Sequence, residues 1–105
     1  MADELASVDL NLMVCLRALL QEQHVTRAAD AVGMSQPAMS NALGRLRRLL
    51  GDELLVRVGN RLEATTKAKQ LVRPLQEALA ILEQQVVQAG RFDPGEKTFS
   101  LSRSD

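Results

Sequence analysis

The sequence predicts a mainly α-helical fold: a winged helix-turn-helix, made of three helices plus a small β-hairpin wing, followed by a long helix suited to dimerisation. Three observations predict it. Residues 24–50, HVTRAADAVGMSQPAMSNALGRLRRLL, read as two helices joined by a tight turn at Gly33, the second rich in polar and basic residues. Residues 54–64 hold two short β-prone runs around Gly59-Asn60. From Val72 to Ala89 aliphatic residues recur at alternating steps of three and four.

The first helix is expected over residues 10–22. Asp9 is its N-cap, and Leu10, Met13, Leu16, Leu19 and Leu20 form its apolar face. The second, about 25–32, turns Ala28, Ala29 and Val32 inward; small alanines let two helix backbones approach closely. Gly33 ends it in the C′ position. Met34 tucks into the core, Ser35 caps the third helix and Pro37 sits in its first turn. That helix runs to about Leu50, burying Ala38, Met39, Ala42, Leu43, Leu46 and Leu49/Leu50, and Gly51 stops it. Its other face carries Gln36, Ser40, Asn41, Gly44, Arg45 and Arg48. Leu54–Arg57 and Arg61–Ala64 form the hairpin, which needs the helices for support. Thr65 caps a helix over about 66–89, kinked near its start by Pro74 and ended by Gly90. Its seam of Val72, Leu75, Leu79, Leu82, Val86 and Ala89 extends too far for so small a domain to cover and is read as a dimerisation surface. Residues 91–97 read as a linker, and Thr98–Ser102 alternates like a strand.

A chain of 105 residues makes one small domain with an appended element. Phe92 and Phe99 are its aromatic residues, so the core must be aliphatic. Cys15 is the single cysteine, which rules out an internal disulfide and fits a reducing cytoplasm. Asp3, Glu4 and Asp9 precede any basic residue, unlike a signal peptide, and no apolar run is long enough to cross a bilayer. The net charge of zero hides a polarised distribution. Residues 26–73 hold nine basic and four acidic residues, a net of +5, against −3 before and −2 after. Such polarisation points to one face for a polyanion.

The runs Asp9-Leu10-Asn11-Leu12, Val25-Thr26-Arg27-Ala28-Ala29, Ser35-Gln36-Pro37-Ala38-Met39-Ser40-Asn41-Ala42-Leu43, Leu46-Arg47 and Gly51-Asp52-Glu53-Leu54-Leu55-Val56-Arg57 resemble the LysR-type transcriptional regulators. They are most similar to the branch with nodulation and aromatic-degradation regulators. The resemblance spans about residues 8–105. It implies a winged helix-turn-helix over 1–65, a dimerising linker helix over 66–90, and over 91–105 a hinge and the first strand of an effector-binding domain otherwise absent. Full-length relatives are usually tetramers with a small-molecule effector. Two departures stand out. Leu55 replaces the aromatic common after the first wing leucine, which suggests looser wing packing, and Ala64-Thr65-Thr66-Lys67-Ala68 lacks the usual proline after the cap.

The expected partner is double-stranded DNA. Gln36 and Asn41 are the candidates for base edges, since either amide can pair bidentately with adenine. Ser40 and Pro37 can meet a thymine methyl or a phosphate. Ser35 and Thr26 stand at helix N-termini that favour phosphate. Arg45 can reach a base or the backbone, Arg27 and Arg48 the phosphates, and Arg57, Asn60 and Arg61 the minor groove or its phosphates. Arg47 points nearer the partner helices, as a structural residue would. Cys15 reads as a core residue and His24 as a cap or surface residue. No nucleophile–base pair, phosphate-cradling loop or metal-ligand set is present, so no enzyme activity and no cofactor is expected. The rival reading is a helical protein–protein adaptor using the seam of residues 72–89.

Overall fold

The computed structural model describes residues 8–91. Three helices, α1 (Leu10–Glu22), α2 (Val25–Val32) and α3 (Gln36–Leu50), precede an antiparallel hairpin of β1 (Leu55–Val58) and β2 (Arg61–Ala64); α4 (Thr66–Leu82), a π-helical segment (Glu83–Val87) and α5 (Gln88–Arg91) follow. The chain divides into two compact units, one ending at Leu75 and the other beginning at Gln76. The linker and strand expected beyond Arg91 lie outside the described residues.

Local chemistry sets each helix boundary in the first unit. Asp9 Oδ1 accepts the Asn11 N–H at 2.9 Å and Ser35 Oγ accepts the Ala38 N–H at 3.2 Å. Each side chain thereby satisfies a donor that the helix start leaves orphaned. His24 caps α2, its Nδ1 accepting the Arg27 N–H at 3.1 Å. Gly33 closes α2 at φ +74°, and the Met34 N–H returns to the Ala29 carbonyl at 2.9 Å. That is the left-handed stop that glycine adopts without a Cβ penalty.

α1, α2 and α3 pack on one another in pairs. Ala28 and Ala29 are fully buried, and the core around them includes Leu12, Cys15, Leu16, Leu19, Leu20, Met39, Leu43, Leu46, Leu54 and Leu55. The buried face of α1 differs from expectation: Leu10 is 53% exposed and Met13 only partly buried, while Leu12 lies inside beside the expected Cys15. With α2 and α3 both packed on α1, the buried stripe is wider than, and rotated from, the one the leucine spacing implies. On α3, Ala38 and Leu49 are exposed, because both fall on one edge of the face that meets the other helices, beyond Ala42. The Cys15 thiol lies 3.4 Å from Met34 Sδ. Burial, and secondarily the Asp9 charge, push its pKa upward, so it behaves as a small apolar residue.

The route from α3 through the wing to α4 is held by a polar junction. Leu54, fully buried, takes φ +67°, uncommon for a bulky residue. The Leu55 N–H donates to the Glu53 carbonyl at 2.7 Å, closing a three-residue turn about Leu54. Asp52 Oδ2 accepts the Leu54 N–H at 2.8 Å and the Thr65 hydroxyl at 2.6 Å. Thr65 Oγ1 in turn caps α4 by accepting the Ala68 N–H at 3.1 Å. Arg47 donates from Nε to the Glu53 carbonyl at 2.8 Å and from Nη2 to the Leu55 carbonyl at 2.9 Å. Lys67 Nζ donates to the Leu50 carbonyl at the end of α3, at 3.0 Å. Leu55, the leucine in place of an aromatic, is fully buried at the wing's root. In the hairpin Val58 pairs with Arg61, leaving Gly59-Asn60 as a two-residue turn. Positive φ at Gly59 (+64°) but not at Asn60 is the sign pattern of a type II′ turn.

In α4, Val72 and Leu75 pack against the first unit's core. The helix continues through Pro74 to Leu82. In the second unit Leu79 is buried, whereas Ile81, Leu82, Val86 and Val87 are exposed. The π-helical turn takes more residues per turn than an α-helix does. It carries Val87 toward the line of Leu79 and Leu82, which heptad spacing assigns to Val86 alone. The helical run passes through Gly90 to Arg91 instead of stopping there, since Gly90 does not take the positive φ by which glycine ends a helix.

Two predictions follow from this packing. Leu46→Ala should destabilise the fold by about 2–5 kcal/mol, whereas Leu49→Ala, at an exposed position on the same helix, should stay within about 0.5 kcal/mol; chemical denaturation measures both. The Asp52 carboxyl is held below its ordinary range by the Thr65 hydroxyl and then by the Leu54 N–H. Its folded pKa thus lies below the unfolded value of about 3.9, and its contribution is complete above that value and lost as pH falls through the folded one. The melting-temperature gap between wild type and Asp52→Asn should therefore be constant near neutrality and shrink below about pH 4. A gap independent of pH would contradict this role.

Candidate nucleic-acid interface

The helix-turn-helix displays one face of α3. With Met39, Ala42, Leu43 and Leu46 turned into the core, Gln36, Pro37, Ser40, Asn41, Arg45 and Arg48 are left exposed. Gln36 Nε2 donates to Ser40 Oγ at 3.0 Å, one turn along. This bond occupies one of the amide's two N–H groups and leaves the other, with Oε1, free to meet a base edge. Ser40 Oγ is the acceptor in this bond, and its own hydroxyl hydrogen remains available to donate. Arg45 Nη2 lies 4.0 Å from Asp9 Oδ2, with both side chains largely exposed. An ion pair of that kind is weak and readily exchanged for another anion.

Thr26 and Arg27 are exposed in the first turn of α2. Since His24 provides the cap, the Thr26 hydroxyl is not spent on it. On the wing, Arg57, Asn60 and Arg61 are exposed, and Arg61 Nη2 contacts Glu63 Oε2 at 3.0 Å. Arg61 is so exposed, at 78%, that this pair too contributes little.

Six of the twelve expected residues meet in one place. Thr26, Arg27, Gln36, Arg57, Asn60 and Arg61 line an open cleft of about 640 Å³ between the first turns of α2 and α3 and the wing. Lys69, in the first turns of α4, lines the same cleft and was missed by sequence reasoning. Its signal was the excess of basic residues over 26–73, but only the return of α4 beside the wing puts it there. Glu22 and Glu63 also line the cleft. Asn41 and Arg45 belong to a separate depression with Asp9, Asn11 and Met34. Arg48 lies on shallow surfaces near Leu49 and near Asp52 and Glu53. Ser35 caps α3 by accepting through Oγ, which leaves its hydroxyl hydrogen to donate. Arg47 faces the wing junction through its two carbonyl bonds. Among the described residues no group of three or more His, Cys, Asp and Glu side chains is arranged to hold a metal, and no helix is long and apolar enough to cross a membrane.

Comparison with known proteins agrees with this fold. The model of the family described as bacterial regulatory helix-turn-helix protein, lysR family, matches residues 10–69. Over 100 residues the chain is 43% identical to the HTH-type transcriptional regulator LeuO of Escherichia coli (strain K12), covering 93% of this chain and 32% of LeuO. The chain thus spans about a third of that curated relative's length. Among solved structures, the probable transcriptional regulator PA0477 from Pseudomonas aeruginosa is similar with a TM-score of 0.76 at 39% identity, over 89% of this chain and 31% of that one. A BenM_DBD/catB site 1 DNA complex is similar with a TM-score of 0.71 at 26% identity, over 81% of this chain and 96% of that one. Its three helices, hairpin wing and following long helix are those of a LysR-type winged helix-turn-helix, and the chain belongs to the lysR family of bacterial regulatory helix-turn-helix proteins.

Proposed function

We propose that this chain is the DNA-reading and dimerising part of a bacterial transcription regulator, binding an interrupted palindromic operator as a homodimer. The observation that carries the reading is the shared cleft, in which Gln36 from the recognition helix faces the same space as Arg57, Asn60 and Arg61 from the wing. A helix that reads base edges needs a second element on the adjacent backbone to fix its register, and the wing has the charge and position for that role. The BenM_DBD complex with DNA, similar in fold over most of this chain, supports the same reading.

In this reading Gln36 and Asn41 read bases. Pro37 and Ser40 meet a thymine methyl or a phosphate, and Arg45 exchanges Asp9 for a base or the backbone. Thr26, Arg27, Ser35, Arg48, Arg57, Asn60 and Arg61 serve the backbone or minor groove. Residues 1–65 form the reader and 66–90 the linker helix; 91–105 begin an effector-binding domain of a longer cytoplasmic protein, a tetramer that responds to a small molecule. A second copy covers Leu82, Val86 and Ala89 together with Val87, while Leu79, already buried within the single chain, adds less. Val72 and Leu75, packed on their own chain's core, contribute less to that seam. Two-fold symmetry in the protein then selects two-fold symmetry in the operator.

Two experiments test this. Gln36→Ala should reduce the ratio of affinities for a selected duplex over a random one, by the roughly 1–3 kcal/mol of a bidentate base contact. Arg57→Ala should weaken both duplexes alike and reduce the slope of log affinity against log salt by about one. An unchanged affinity ratio in Gln36→Ala would remove base readout from that residue. Light scattering at micromolar concentration should give twice the monomer mass for wild type and the monomer mass for Leu82→Glu/Val86→Glu; a wild-type monomer would overturn the dimer.

A further inference from the structure

The wing is a two-stranded hairpin, and two strands alone do not hold a fixed direction in water. The direction in which Arg57 and Arg61 leave the body of the protein must therefore be set at the wing's root. Three things anchor that root: the buried Leu54 and Leu55 side chains, the Asp52 and Thr65 bonds that tie the Leu54 backbone to the start of α4, and the Arg47 guanidinium, which ties it to α3. The leucines fix depth, but apolar contact is non-directional. The Arg47 bonds are directional. Nε and Nη2 reach the carbonyls of Glu53 and Leu55, on either side of Leu54 and its positive-φ turn. Arg47 grows from α3, the helix that carries Gln36 and Asn41, so one planar, charge-assisted fork ties the recognition helix to the first residue of β1. The Arg47–Glu53 side-chain pair, at 3.4 Å with the carboxylate 71% exposed, adds little beside those two bonds.

We propose that Arg47 is a positioning residue for DNA binding: by clamping the Glu53 and Leu55 carbonyls it sets the wing's angle to the recognition helix, so that Arg57 and Arg61 reach the backbone while Gln36 faces a base. The inference rests on the wing role assigned above to Arg57 and Arg61. Arg47 itself touches no DNA; its effect passes entirely through the wing.

The test is a double-mutant cycle read by affinity for a mixed-sequence duplex across a salt series, on the full chain, with thermal melting to establish that each variant is folded. Arg47→Met should weaken binding and flatten the salt slope by about one or more, although Arg57 and Arg61 are retained. In the Arg57→Ala/Arg61→Ala background the same Arg47→Met change should alter affinity by less than about twofold. A purely structural residue, or one contacting phosphate itself, would give the same fold-loss in both backgrounds, and that result overturns the proposal. If Arg57→Ala/Arg61→Ala leaves affinity and salt slope unchanged, the wing reading fails, and the Arg47 proposal with it. Should Arg47→Met not fold, Arg47→Lys serves in the same cycle, because it keeps the charge and loses the two-pronged geometry; the same non-additivity is expected, and equal losses overturn it.

Discussion

Between Leu50 and Thr65 the chain must leave one helix, form a hairpin and enter another, and the left-handed turn at Leu54 makes this possible. A bulky residue in that conformation costs roughly 1–2 kcal/mol. Full burial of a leucine side chain contributes roughly 1.5–3 kcal/mol, enough to offset it. The turn also leaves polar backbone groups that cannot be stranded in a partly buried place. Asp52 and the Thr65 N–H satisfy the Leu54 amide and carbonyl, and Arg47 takes the carbonyls on either side. The end of α3, the start of the wing and the cap of α4 are thus parts of one hydrogen-bonded unit. The cleft exists because that unit holds the wing beside the first turns of α2 and α3.

The charges around the cleft are arranged for exchange. Arg45 meets Asp9 only at 4.0 Å, and the Arg61–Glu63 pair lies largely in solvent. Pairs of this kind keep basic side chains soluble without committing them. By contrast, the arginine that is committed, Arg47, binds main-chain carbonyls that no mobile anion replaces at lower cost. The distinction separates basic residues available to a polyanion from those that build the fold, and net charge alone does not reveal it.

Much of the fold was legible in the residues. Asp9, Ser35, Gly33, Gly51 and Thr65 are local signals, acting on backbone within a few positions, and each stands where its chemistry requires. The hairpin turn at Gly59-Asn60 is equally local, although the runs expected over 54–57 and 61–64 left Val58 outside the strand that pairs it with Arg61. Burial was less legible. Leu10, Ala38 and Leu49 satisfy helical spacing yet are exposed, because spacing identifies a stripe but not its width or exact bearing. Val72 and Leu75 continue a heptad seam with Leu79 and Leu82, yet they pack on their own chain's core. Spacing is identical for the two uses.

The candidate site divides along the same line. Residue chemistry and order identified Gln36, Asn41 and the wing arginines, because amides and guanidinium groups at exposed helical and hairpin positions are intrinsic to the sequence. Convergence was a tertiary outcome. Gln36 meets Arg57 and Lys69 in one cleft while Asn41 and Arg45 line another, because the bearing of the wing and of α4 depends on bonds spanning up to 17 residues, such as Lys67 to the Leu50 carbonyl. The sequence by itself determined element types, caps, turns and the basic character of the middle segment, since those rest on short-range backbone chemistry. Only the tertiary structure decided which face of each helix is dry, which carbonyls Arg47 binds and which of the expected residues share a cleft. Those follow from packing and hydrogen bonds between segments whose relative bearing no local signal encodes.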